Sequence, residues 1–157
     1  MRILVLSDSH GQAGAVFRAV EAQPTARVVI HLGDGAREAA EITDRYPDRT
    51  VYSVQGSCDA VYGSTLRPYQ EETLGGKRFF FTHGHLFGVK TDRYRLECAA
   101  RERQADIVLF GHTHVALTDY ADGLYSLNPG SLAYGGTYGL VDITPAGVVL
   151  NVVENRR

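Results

Sequence analysis

Short apolar runs alternate with segments of helical spacing through the first third of the chain. Residues 3–6 are a continuous apolar run, the pattern of a strand buried on both faces. In residues 15–20, Val16, Phe17 and Val20 share one helical face, and Pro24 stops that helix. Residues 27–32 form a second strand, residues 36 to about 46 a second helix ended by Pro47, and residues 50–54 a third strand. Residues 55–59 are read as the loop after it. A β-α-β-α-β order predicts a parallel sheet with right-handed crossovers. In such a sheet the binding crevice lies beyond the carboxyl ends of the strands. Asp8, His10, Asp34 and the 55–59 loop are all placed there.

The second half changes to hairpins. Residues 69–74 and 77–82 flank Gly75-Gly76, a pair suited to the positive φ of a tight turn. The second of these strands runs into His83-Gly84-His85. A helix is predicted over 91–104, with Cys98 as a small core residue and the arginines at 93, 95, 101 and 103 on a solvated face. A strand over 106–110 leads into Gly111-His112-Thr113-His114. Two further hairpins join 115–120 to 124–127 and 138–143 to 148–153, with Asn128-Pro129-Gly130-Ser131 as a turn between them. So many strands do not fit one open sheet. The expected fold class is α/β: a four-layer αββα sandwich of two mixed β-sheets flanked by helices, in one domain spanning 1–157.

Composition adds limits. A chain of 157 residues with 44% hydrophobic and 22% charged residues has an ordinary globular make-up. A formal net charge of −2 gives no general attraction to nucleic acid or anionic membrane. The two cysteines form no C-x-x-C pair, which favours a reducing compartment. The opening apolar run is too short for a signal peptide, and no stretch has the length of a membrane span. The expectation is a cytoplasmic protein with a small-molecule substrate, no membrane or nucleic-acid partner, and an open question of homo-oligomerisation.

The chemistry lies in the residues that follow the strands. Four of the six histidines form the pairs His83/His85 and His112/His114. In an extended segment, positions two apart project to the same side, so each pair would point two imidazoles one way. Asp8 and His10 repeat the spacing, and Asp34 adds a carboxylate. A mixed oxygen and nitrogen set suits Mn²⁺, Fe or Zn²⁺ and argues against Ca²⁺. It exceeds what one catalytic ion needs. Two ions roughly 3.5–4 Å apart, sharing a carboxylate and a water, fit the number of donors.

Asp8-Ser9-His10, Gly33-Asp34, Gly56-Ser57-Cys58-Asp59, His83-Gly84-His85 and Gly111-His112-Thr113-His114 resemble the five ordered blocks of the calcineurin-type metallophosphoesterases. The match in length is to their small single-domain phosphodiesterase branch, which Asn128-Pro129-Gly130-Ser131 also resembles. The resemblance implies that Asp8, His10 and His114 hold one divalent ion, that His83 and His112 hold a second, and that Asp34 bridges them. The ions would be Mn²⁺ first, or Ni²⁺, Zn²⁺, Fe or Mg²⁺. A water between them would attack phosphorus in line, with no phosphoenzyme.

Two positions depart from the family pattern. Ser57 stands where an asparagine normally ligates the second ion, and Cys58 where larger relatives carry a histidine that protonates the leaving group. His85 is the candidate substitute acid. Asp59 is expected to brace its loop, Asn128 to hydrogen-bond a metal ligand from behind, Cys58 to be a loop residue, and His31 to be a buried hydrogen bonder. The glycine-rich run around Tyr134 either lines the cleft or is only a loop. The activity implied is phosphodiester hydrolysis. Its rivals are a phosphomonoesterase or nucleotidase using the same site, and a non-catalytic scaffold resembling the retromer subunit of this fold.

Overall fold

The computed structural model describes residues 1–156. Strand β1 (Arg2–Leu6) is shielded from solvent from Ile3 onward. Helix α1 (Ala13–Glu21) crosses to β2 (Val28–His31), and α2 (Ala36–Arg45) crosses to β3 (Thr50–Ser53). Both strand pairs are parallel, as the alternation predicts. The segment after β3 differs from the expected loop: Ser57–Val61 is a short helix, α3. Five residues hold too little of a 3.6-residue repeat for the pattern to show it.

The chain continues through β4 (Tyr69–Leu74), β5 (Lys77–Thr82), a 3-10 turn at His85–Phe87, and α4 (Tyr94–Glu102). It ends in β6 (Ile107–Leu109), β7 (Leu117–Ala121), β8 (Leu124–Asn128), β9 (Thr137–Thr144) and β10 (Gly147–Glu154). Two mixed five-stranded sheets result, in the orders β10-β9-β1-β2-β3 and β4-β5-β6-β8-β7. The last hairpin therefore returns to the first sheet, where β9 lies antiparallel to β1.

Side-chain alternation along the strands builds the layers. Ile3, Val5, Val28 and Ile30 face Phe79, Phe81, Ile107 and Leu109 in a core between the sheets. The opposite parity, Leu4, Leu6 and Val29, packs on Val16, Ala19, Val20 and Ile42 of the first two helices. Phe80 and Val108 pack on Leu96 and Ala100 of α4. The order is helices, sheet, sheet, helix, which is the αββα arrangement.

Helix α4 is shorter than the 91–104 segment expected, and its arginines do more than face water. Arg93 pairs with Asp119 at 2.8 Å, Arg103 with Glu71 at 3.0 Å, and Arg101 donates to the carbonyls of Ala121 and Asp122. These bonds fasten α4 to both hairpins of its sheet. Cys98 is half-buried rather than a core residue. Among the described residues, no helix is long and apolar enough to cross a membrane.

Candidate metal centre

The ends of β1, β2, β5 and β6 meet at one rim, and backbone hydrogen bonds lock the turns that leave them. The Asp8 N–H donates to the Gly33 carbonyl and the His10 N–H to the Asp34 carbonyl, both at 3.0 Å. The Gly111 N–H donates to the His83 carbonyl at 2.9 Å. The first sheet thereby supplies Asp8, His10 and Asp34, and the second supplies His83, His112 and His114.

The histidine pairs do not come from extended backbone, as the i, i+2 argument supposes. Asp8, His10, Asp34, His112 and His114 all have positive φ, at 55°, 43°, 55°, 67° and 60°. Among the described residues they are five of the seven non-glycine positions in that region. Such conformations cost of order 1–3 kcal/mol each and persist where the surroundings over-determine them. Here each ring and carboxylate turns inward separately. His114 meets Asp8, and His112 meets His83.

Asp8 is fully buried and its two oxygens are divided. Oδ2 accepts the Ser7 hydroxyl and, at 3.2 Å, the His112 N–H. Oδ1 is left facing His114 Nε2 at 3.0 Å, His10 Nε2 at 3.6 Å and His83 Nε2 at 4.0 Å. Asp34 is divided likewise. Oδ1 accepts the Cys58 N–H at 2.7 Å, while Oδ2 lies 3.4 Å from both Ser57 Oγ and His83 Nε2. His83 Nδ1 lies 2.7 Å from the Leu32 carbonyl, to which it must donate, so in the neutral ring the Nε2 lone pair points into the centre. There it lies 3.1 Å from His112 Nδ1.

Three overlapping groups can each hold an ion by proximity: Asp8, His10 and His114; Asp8, Asp34 and His83; and His10, Asp34 and Cys58. His10 Nε2 is buried with no protein hydrogen-bond partner. A buried imidazole nitrogen aimed at two carboxylates and left without a partner is what a metal ligand looks like before it binds. The donor set therefore fits divalent ions of intermediate softness. Cys58, expected as a plain loop residue, sits in the first turn of α3 with its thiol toward Asp34 and His10. Its exposed position does not remove it from the donor set.

Electrostatics follow from this crowding. Burial pushes the Asp34 carboxyl up, but the His83 hydrogen bond and charge and the Cys58 N–H outweigh it and hold it well below the ordinary range. Burial lowers His83, but Asp34 and Asp8 outweigh it and raise its pKa. Burial, with His83 and Lys90 nearby, lowers His112 to about 4. His85 is lowered by burial and by His83. The Cys58 thiol is raised by burial and by Asp34.

Polar groups behind the candidate ligands hold the turns. Asp59 accepts four backbone N–H bonds, from Asp34, Gly35, Ala36 and Gly56. Gly56 is required beside it, because a Cβ there would collide with Asp34 Oδ1 and the Asp34 nitrogen. Asn128 does not reach a ligand side chain. Its Nδ2 donates to the Gly111 carbonyl and to Thr113 Oγ1, so it braces the loop carrying His112 and His114. His31 and Ser9 lead to Glu38, a buried carboxylate that nothing in the sequence singles out. His31 Nδ1 accepts the Gly33 N–H, so Nε2 donates to Ser9 Oγ at 3.0 Å, and Ser9 donates to Glu38 at 2.9 Å. Burial pushes the His31 pKa down, consistent with that neutral tautomer. The Tyr134 ring lies 5.2 Å from the His114 ring, nearly parallel to it, so the glycine-rich run does line the site. His85 lies 5.4 Å from His83 between ring centres, with its Nδ1 buried and unpartnered.

Two mixed sheets with an Asp/His cluster at the joined strand ends define a metallophosphoesterase fold and a rim able to hold metal. Residues 1–145 match the calcineurin-like phosphoesterase superfamily domain, and the chain belongs to that superfamily. It is similar to the phosphodiesterase YfcE of Escherichia coli, at 32% identity over 90% of this chain and 88% of that protein. It is also similar to the probable metallophosphoesterase YsnB of Bacillus subtilis, at 32% identity over 84% of this chain and 75% of that protein. Among solved structures, a predicted phosphoesterase from Streptococcus pneumoniae superposes with a TM-score of 0.84 at 26% identity. That superposition covers 98% of this chain and 89% of the other.

Proposed function

We propose that this protein is a metal-dependent phosphodiesterase. The observation that carries the reading is the convergence of Asp8, His10, Asp34, His83 and His114 from two sheets, with His112 against His83 and His10 Nε2 buried and unpartnered. Asp8, His10 and His114 would hold one divalent ion, His83 and His112 a second, and Asp34 would stand between them. Ser57, whose hydroxyl faces Asp34, would complete the second set as a weak neutral donor. Mn²⁺ suits the mixed donors, with Ni²⁺, Zn²⁺, Fe and Mg²⁺ as competitors. Such ions supply Lewis acidity at the phosphoryl oxygens and a nucleophilic water at neutral pH.

The chain's own residues set the geometry. Ser7 and the His112 N–H fix one oxygen of Asp8, and the Cys58 N–H fixes one oxygen of Asp34, so the free oxygens cannot rotate away. The Leu32 carbonyl fixes the tautomer of His83. His85, with a lowered pKa, is neutral at neutral pH and can offer its remaining N–H to the departing oxygen. The relatedness to YfcE supports a phosphodiester substrate over a monoester.

The test is to strip the protein of metal, restore Mn²⁺, Ni²⁺, Zn²⁺ and Mg²⁺ one at a time, and assay an aryl phosphodiester beside an aryl phosphomonoester. Turnover with at least one ion, higher on the diester, is expected. Faster monoester hydrolysis would reverse the substrate class. Silence with every ion would favour a scaffold.

A further inference from the structure

Beside the centre, a cleft of about 340 Å³ runs between the start of α2 and α3. His10, Asp34 and Cys58 of the centre line it, and so do the exposed side chains of Arg37 and Tyr62. Arg37 and Tyr62 also line an adjoining cavity of about 580 Å³ that continues over residues 63–65. A volume in this range suits an organic ligand. The cleft therefore has space for one of the ester arms as well as the phosphoryl group.

The charges of its walls are already spoken for, with one exception. Asp59 is used up by four backbone N–H groups. Glu38 takes the Ser9 hydroxyl, and Asp34 belongs to the centre. Among the described residues, Arg37 is the one Lys or Arg side chain on the cleft wall. It is 87% exposed, and its ion pair with Glu41 at 3.0 Å uses Nε, which leaves the two terminal nitrogens to a ligand. An exposed i, i+4 pair of this kind holds the guanidinium weakly. Tyr62 is 88% exposed and lines both cavities, so its ring is open to a ligand lying across them.

We propose that Arg37 and Tyr62 form a subsite for the ester arm of the substrate, and that it selects a flat, anionic arm: a nucleotide carrying a further phosphate. This rests on the phosphodiesterase reading above. The guanidinium would pair with the second phosphate through charge-assisted hydrogen bonds, and the phenol ring would stack on the base.

The experiment uses the metal-loaded protein and its Arg37→Gln and Tyr62→Leu variants. Two p-nitrophenyl phosphodiesters are compared: thymidine 3′-phosphate 5′-(p-nitrophenyl phosphate) and methyl p-nitrophenyl phosphate. Equilibrium binding of thymidine 3′,5′-bisphosphate and of inorganic phosphate is measured in parallel. The wild type is expected to prefer the nucleotide ester. Arg37→Gln should cut the ratio of kcat/KM for nucleotide over methyl ester roughly tenfold, as loss of a charged hydrogen bond predicts. Tyr62→Leu should cut it by at least about fivefold. The ratio of bisphosphate to phosphate affinity should fall by similar factors. Ratios equal to wild type in both variants would overturn the subsite. Selective bisphosphate binding that the variants lose, without turnover of either ester, would uphold the subsite while rejecting the catalytic reading. Tighter binding of an oligothymidylate than of the bisphosphate would overturn the small-nucleotide assignment.

Discussion

Ser57 is the residue at which the candidate centre is thinnest. Its hydroxyl lies 3.4 Å from Asp34 Oδ2 and reaches no histidine of the second set. A longer side chain with an amide oxygen would extend from the same first turn of α3 toward His83 and His112. Ser57→Asn is expected to tighten the weaker of two ions in a metal titration by roughly tenfold, within the range that changes around a ligand set produce. An identical titration would remove Ser57 from the site. His85 supports a second prediction. A fixed N–H donor aimed at the charge that develops on a poor leaving oxygen contributes roughly 10²–10³. His85→Ala should therefore depress hydrolysis of an alkyl diester by about 100-fold or more, and that of a nitrophenyl diester far less. Equal losses on the two would assign the ring to binding. The types and order of these residues could be seen in the sequence. Their backbone could not, because positive φ at five ligand candidates arises from turns that long-range hydrogen bonds hold in place. The only advance hint is that Asp and His tolerate that region better than most residues.

At the level of elements, the strands were legible and the short connections were not. Continuous apolar runs located β1, β2, β5 and β6, and with them the rim that carries the ligand candidates. Helix α3 was hidden because it has one turn and a half. Glu38 was hidden because a carboxylate in the first turn of a helix is ordinarily solvated. It is buried here through Ser9 and His31, which link three elements: the turn after β1, the end of β2, and α2. This linkage has a pH signature. The His31 pKa lies below its ordinary value of about 6.5 in the folded protein. Below that pH the unfolded chain takes up a proton that the native protein refuses, so folding loses stability as pH falls from neutral. His112 acts in the same direction and His83, with a raised pKa, in the opposite one. Urea unfolding of the metal-free protein and its His31→Gln variant between pH 7.5 and 5 isolates the His31 share. The wild type should lose stability more steeply toward acid. Parallel curves would sink the assignment of a neutral His31.

Across the whole molecule, the core between the sheets sets the distance between two halves of one centre. Phe81 lies in that core, fully buried, one strand end away from His83. Phe81→Ala should cost about 3–5 kcal/mol and lower Tm by on the order of 10 °C. It should also weaken the ions, although Phe81 is no ligand, and a metal titration like that of the wild type would show that the rim holds its own spacing. Neither sheet carries a complete set: Asp8, His10 and Asp34 come from one and His83, His112 and His114 from the other. Ions bound there would join segments up to 106 residues apart in the chain, the separation of the Asp8 and His114 side chains that touch. By mass action, any ligand taken only by the native form stabilises it, and the coupling runs both ways. If ions bind there, whatever loosens the sandwich would also release them, so occupancy of the rim would double as a gauge of whether the two halves are correctly docked, and an unfolded or half-docked chain would be chemically silent.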